Sequence, residues 1–204
     1  MSQKPVIGLI GGIGSGKSSV AAEFAKRGAR VLSGDEFGHE ALRRPDIKEQ
    51  VVRRWGSEIL KDGEVDRRKL GQIVFADPAE RSALEALVFP WITRRLDQEV
   101  AAAKADPGVP FIVVDAAVML EAGWNNVCER IVYVDAPREL RLARLAQQRG
   151  WTEKEVTARE QAQLPASEKM KRADRLVDNS GTPEETARQI DYLLRLWGLT
   201  RGTS

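Results

Sequence analysis

Residues 6–19, VIGLIGGIGSGKSS, leave a chain few ways to fold. An apolar run reads as a buried strand. A glycine-rich loop of the form G-x-x-x-x-G-K-[ST] follows from Gly11 to Ser18, and SSVAAEFAKRG then reads as a helix closed by Gly28. Gly11, Gly12, Gly14 and Gly16 admit torsions and close approaches that a side chain forbids. Successive N–H groups then turn inward and make a nest for an anion, which the N-terminus of the helix also faces. Lys17 brings a flexible point charge to β- and γ-phosphates, and the Ser18 hydroxyl is a Mg²⁺ ligand. Gly12, Ile13, Gly14, Ser15, Gly16, Lys17, Ser18 and Ser19 are therefore candidate nucleotide contacts.

Short apolar segments at 5–10, 30–33, 110–115, 130–135 and 175–178 alternate with helical patterns. That alternation predicts an α/β fold of three layers (α/β/α) around a five-stranded parallel sheet, of the P-loop NTPase kind. VLSGD, FIVVD and IVYVD end in or run into Asp35, Asp115 and Asp135, which aims all of them at the ligand-binding rim of such a sheet. The 204 residues make one domain: a core of about 1–35, 110–137 and 173–204, an inserted helical lobe at about 36–109 with no clear strand, and a helical lid at about 138–172. Within the lobe, PAERSALEALV and PWITRRLDQEVAAAKA read as separate helices. The tail from 198 is expected to fray.

Composition narrows the chemistry. One histidine and one cysteine exclude a multi-histidine metal site and an internal disulfide. A net charge of +2, with no basic block interleaved with aromatics, gives no reason to expect a nucleic-acid partner. No segment approaches the ~20 apolar residues of a membrane span, and the first strand begins too early for a secretory leader. The chain is read as cytoplasmic, a monomer or weak homo-oligomer.

The DEFG at 35–38 resembles a switch motif, but it follows the second strand without room for a first switch segment, and no N-K-x-D guanine reader exists. ATP is the expected nucleotide, with Mg²⁺. A kinase needs an acceptor pocket, a carboxylate for the acceptor hydroxyl, and cations for the γ-phosphoryl group. The lobe, Asp35 and the arginine-bearing 138–172 segment are the candidates. Asp35 also suits a helix N-cap. Asp115 is either a Walker-B-like Mg²⁺ contact or a plain strand-end carboxylate, and His39 lies one helical turn from Asp35.

GGIGSGKS at 11–18, SGD at 33–35, FP at 89–90, AAVMLEAGW at 116–124, AREQAQLP at 158–165 and EKMKRADRLVDNSG at 168–181 together resemble the dephospho-CoA kinases along essentially the whole chain. The loop is widely shared, whereas the second-half motifs are narrow. The resemblance implies an ATP-dependent phosphotransferase acting on the ribose 3′-hydroxyl of dephospho-CoA, the last step of coenzyme A synthesis. It implies Lys17, Asp35 and Arg144 as catalytic residues, with Asp35 accepting the proton from, or orienting, the hydroxyl. Arg144 and Arg159 would contact phosphate, Gln163 would lie nearby, Asn179 and Gly181 would border the adenine, and Ser18 with Asp115 would serve the metal.

Ser33, Phe89 and Ala117 stand where the family pattern has Asp, His and Pro, and Arg94 or Arg95 is the candidate substitute for the histidine. These departures bear on the acceptor more than on ATP. Two other readings stay open: a kinase for another small acceptor, such as a nucleoside monophosphate or shikimate, and a nucleotide-binding protein without turnover.

Overall fold

The computed structural model describes residues 4–199. The expected fraying of the tail fails at its start, where Leu199 packs against the sheet core and donates its N–H to Leu194 O at 2.8 Å; 200–204 lie outside the described residues. Two compact units are present, one built from residues 4–33 and 98–199 and the other from 34–97.

The first unit is a parallel sheet of β1 (Val6–Gly11), β2 (Arg30–Ser33), β5 (Ile112–Asp115), β6 (Arg130–Asp135) and β7 (Arg175–Asp178). Its order is β2-β5-β1-β6-β7. The chain leaves central β1 toward one edge and later fills the other, so the carboxyl end of β1 opens at a topological switch point. α1 (Lys17–Lys26) and α9 (Pro183–Leu196) cover one face. Val20 and Phe24 of α1 and Ile190 and Leu193 of α9 pack with Ile7, Leu9, Val113, Val132 and Val177 of the sheet. Phe24 meets Phe111 edge-on, with ring centroids 6.3 Å apart. Strands buried on both faces carry no polar alternation, which is why β1 and β5 read as plain apolar runs. α6 (Arg138–Arg149), α7 (Glu153–Gln161) and α8 (Ala166–Lys171) follow β6.

The second unit holds α2 (Gly34–Arg43), α3 (Pro45–Trp55), α4 (Arg67–Ala76) and most of α5 (Pro78–Ala105). It also contains strands, contrary to the expectation of helices alone: β3 (Leu60–Lys61) pairs antiparallel with β4 (Glu64–Val65). Asp62 and Gly63, at φ 52° and 79°, make the turn between them. Two positive φ values in succession suit a two-residue hairpin, and Asp-Gly is its sequence mark. Strands of two residues show no periodicity, so this dipeptide was the one available signal.

A second expectation also fails. The helices expected at 78–88 and 90–105 are one helix of 28 residues, α5, with Pro90 inside it. Proline removes an N–H and crowds the carbonyl four residues back, that of Ala86. The helix persists because its burial repeats about every turn, at Val88, Ile92, Leu96 and Val100. An interior proline costs about 3 kcal/mol, and its stiffening of the unfolded chain returns up to about 1. Pro90→Ala is therefore expected to stabilise the protein by about 2 kcal/mol, read as a raised midpoint in thermal or urea unfolding.

Candidate active site

The loop between β1 and α1 is built to face an anion. Gly16 is the N-cap of α1 at φ 85°, ψ 29°, a left-handed conformation. A Cβ there would stand 2.2 Å from Asn179 Nδ2, so both torsion and space demand glycine. Asp66, Thr152 and Thr182 cap α4, α7 and α9 with their side chains, but α1 has no side-chain cap and no acidic residue in its first turn. Nothing on that helix competes with an incoming anion for its first N–H groups.

Lys17 is buried, with Nζ 3.4 Å from the carbonyls of both Gly11 and Gly12, the long limit of a hydrogen bond. Ser15 is fully buried, and its Oγ has no hydrogen-bond partner among the described residues. Ser18 Oγ donates to Asp115 Oδ2 at 2.8 Å. Asp115 is the last residue of β5 and pairs in register with Leu9 on one side and Ser33 on the other. A hydroxyl and a carboxylate in contact at the mouth of the loop are hard oxygen donors of the kind Mg²⁺ takes, so these residues fit that ion. Among the described residues no group of three His, Cys, Asp or Glu could hold a metal. A magnesium ion here would complete its shell with water and phosphate oxygens.

The loop is backed by donors from distant segments. Asn179 Nδ2 donates to Ser15 O at 2.8 Å, while its Oδ1 accepts from Thr186 at 3.1 Å. Arg144 donates to Asn179 O at 2.8 Å and to Ser15 O at 3.4 Å. Arg141, which the motifs do not single out, donates to Ile13 O at 3.0 Å. Arg144 and Asn179 are thus gathered at the loop, as is Arg141. Arg159 sits over the Trp151 ring at 4.0 Å and donates to the Glu155 carbonyl of its own helix at 3.1 Å. Burial holds its guanidinium below the ordinary arginine pKa. Gly181 borders a cavity of about 670 Å³ beside β7 and α9, also lined by Arg175, Arg188 and Tyr192.

The narrow second-half motifs meet at one buried lysine. Lys169 is 1% exposed, and its Nζ bonds Glu121 Oε1 at 3.0 Å, Ala117 O at 2.9 Å and Gln163 Oε1 at 3.0 Å. Glu121 also accepts from Leu164 N–H at 2.8 Å. Burial pulls the Lys169 pKa down, and the Glu121 carboxylate opposes that. AAVMLEAGW, AREQAQLP and the lysine of EKMKRAD are therefore one structural node. Gln163, expected near the phosphate contacts, accepts from this lysine.

In the second unit, Asp35 lies exposed in the first turn of α2, which begins at Gly34, so it is not the residue before the helix that a cap requires. Arg95 lies 3.2 Å from Glu40 and over Phe37 at 5.7 Å, both on α2. His39 contacts Arg67. Burial, and then the Arg67 charge, hold its pKa below the usual histidine value.

Residues 5–185 match the family model for dephospho-CoA kinase. The chain belongs to the dephospho-CoA kinase family. It is 39% identical to dephospho-CoA kinase of Geobacillus kaustophilus (strain HTA426), over 94% of this chain and 96% of that one. To the enzyme of Synechococcus sp. (strain CC9902) it is 41% identical, over 92% and 94%. The crystal structure of TT1252 from Thermus thermophilus superposes with a TM-score of 0.77 at 35% identity, covering 96% of this chain and 98% of that one.

Two outcomes follow for this kinase. Gly16→Ala is expected to weaken ATP binding about tenfold to a hundredfold, since left-handed strain of 1–3 kcal/mol adds to the clash with Asn179; calorimetric titration measures it. Lys169→Met strands the Glu121 carboxylate and is expected to cost about 3 kcal/mol in urea unfolding. The double variant Lys169→Met/Glu121→Gln should regain a good part of that loss.

Proposed function

We propose that this family member phosphorylates the ribose 3′-hydroxyl of dephospho-CoA with ATP, and that Asp35 is its catalytic carboxylate. The observation that carries the assignment is chain position. Asp35 stands two residues beyond Ser33, the residue of β2 that pairs in register with Asp115. Gly12–Ser19 bind the phosphates through backbone N–H groups, and Lys17 supplies the charge for the β- and γ-phosphates. Ser18 and Asp115 would hold Mg²⁺, which when bound would draw charge from the phosphate oxygens. Asp35 accepts the hydroxyl proton or orients the hydroxyl for in-line attack. Arg144 lends its guanidinium to the charge that develops on the transferred group. Asn179 and Gly181 border the base, and Arg159 adds a phosphate contact from α7.

Acceptor recognition belongs to the 34–97 unit. Arg95 takes the part left vacant by Phe89. Its support is that Glu40 and Phe37 hold it against α2, the helix that carries Asp35. The Ser33 hydroxyl leaves Asp35 as the single carboxylate of the SGD segment.

Asp35→Asn keeps the shape and removes the base. ADP release dependent on dephospho-CoA is expected to fall by about 10²–10⁴-fold, with ATP affinity within about twofold of wild type. Retained turnover in the variant overturns the Asp35 assignment. ATP binding without acceptor-dependent turnover in the wild type overturns the kinase reading for this chain.

A further inference from the structure

Arg141 joins two parts of the sheet unit that have separate tasks. Its Nη1 donates to Ile13 O at 3.0 Å and to Glu160 Oε1 at 2.6 Å, and its Nε donates to Ala136 O at 3.2 Å. The guanidinium lies directly on the loop, for a Cβ built on Gly12 would stand 2.9 Å from Nη1. Glu160 belongs to α7, where Arg138 also reaches it at 3.3 Å. Arg138 in turn holds Glu153 at 2.6 Å and Thr157 at 3.0 Å. The Arg141 and Glu160 side chains are 14% and 25% exposed, so solvent and salt screen this pair less than a surface pair. One nitrogen is therefore shared between a carbonyl of the phosphate loop and a carboxylate of the helix that carries Arg159.

We propose that Arg141 and Glu160 form a charge latch coupling α7 to the phosphate loop, in which nucleotide phosphate competes with Glu160 for Arg141. The inference rests on reading the loop as the ATP site. Guanidinium binds phosphate as readily as carboxylate, through the same planar fork. A multiply charged phosphate beside Gly12 draws Arg141 away from Glu160, which loosens α7 from the loop and frees it to rearrange with Arg159. The coupling has a physical source, because phosphate interacts better with Arg141 released from Glu160 than with Arg141 neutralised by it. Arg141 is a phosphate-contacting residue in this scheme, and Glu160 is the competitor of the phosphate.

The two halves of the latch predict opposite signs. Glu160→Gln removes the competitor and is expected to tighten ATP binding at least about fivefold. Arg141→Met removes the contested cation and is expected to weaken it by a similar factor, with Arg141→Lys between that variant and wild type. Calorimetry on the full chain reads the affinities, and thermal unfolding of each variant confirms folding. The ATP-induced change in Trp151 fluorescence, isolated by difference from Trp151→Phe, is expected in the wild type and reduced in both variants. A pair that serves only the fold would shift both affinities the same way or neither. That outcome, or a full-sized fluorescence change in both variants, overturns the latch. A wild-type chain that binds no ATP overturns the reading of the loop itself, and the latch with it.

Discussion

Turning backbone N–H groups toward an anion obliges the carbonyls of the same loop to face away, and buried carbonyls must find donors. Much of the sheet unit answers that requirement. Ser15 O takes Asn179 and Arg144, and Ile13 O takes Arg141. The left-handed Gly16 sets the direction of the Ser15 carbonyl and puts the backbone against Asn179. The loop after β7 and the helix after β6 thus supply donors to the carbonyls of this loop. Their order in the chain matters less than the donors they deliver.

Sheet register supplies the other fixed point. Asp115 meets the Ser18 hydroxyl because β5 lies beside β1 with Leu9 opposite Asp115. A slip of one residue would turn the carboxylate to the other face of the sheet. β2 on the far side of β5 brings Ser33 level with Asp115, and the chain crosses from there into the unit that begins at Gly34. The groups proposed to handle nucleotide lie in the sheet unit, whereas the second unit carries Asp35, Arg95 and the position of Phe89. The three departures from the family pattern fall differently. Ser33 ends a sheet strand, Phe89 lies in the second unit, and Ala117 lends only its carbonyl to Lys169.

The Lys169 node shows how motif residues can serve architecture. Glu121, Gln163 and Lys169 lie in the stretches that distinguish this family from other P-loop kinases, yet they bond one another. They fasten the segment after Asp115 to α8 and to the turn that precedes it. Burial works against the charge of Lys169, and the Glu121 carboxylate opposes that effect. Such a node ties the segment after Asp115 to the α6–α8 stretch.

The sequence by itself determined what is local. Residues 6–19 specified strand, loop and helix, because glycine torsions, an uncapped helix start and an apolar run each act over a few residues. The same held for the strand ends at Asp115 and Asp135 and for the parallel five-stranded sheet. The Asp62-Gly63 hairpin was also written locally, but in strands too short for periodicity to reveal. The tertiary structure alone decided what joins distant residues. It carried α5 through Pro90 because burial on both sides outweighs one lost hydrogen bond. It chose Arg141 from a run of similar arginines to reach Ile13, and it stacked Arg159 on Trp151. Charged side chains on a helix look alike in sequence. Which of them meets a buried carbonyl or a carboxylate depends on how the helices pack, and no local pattern records that.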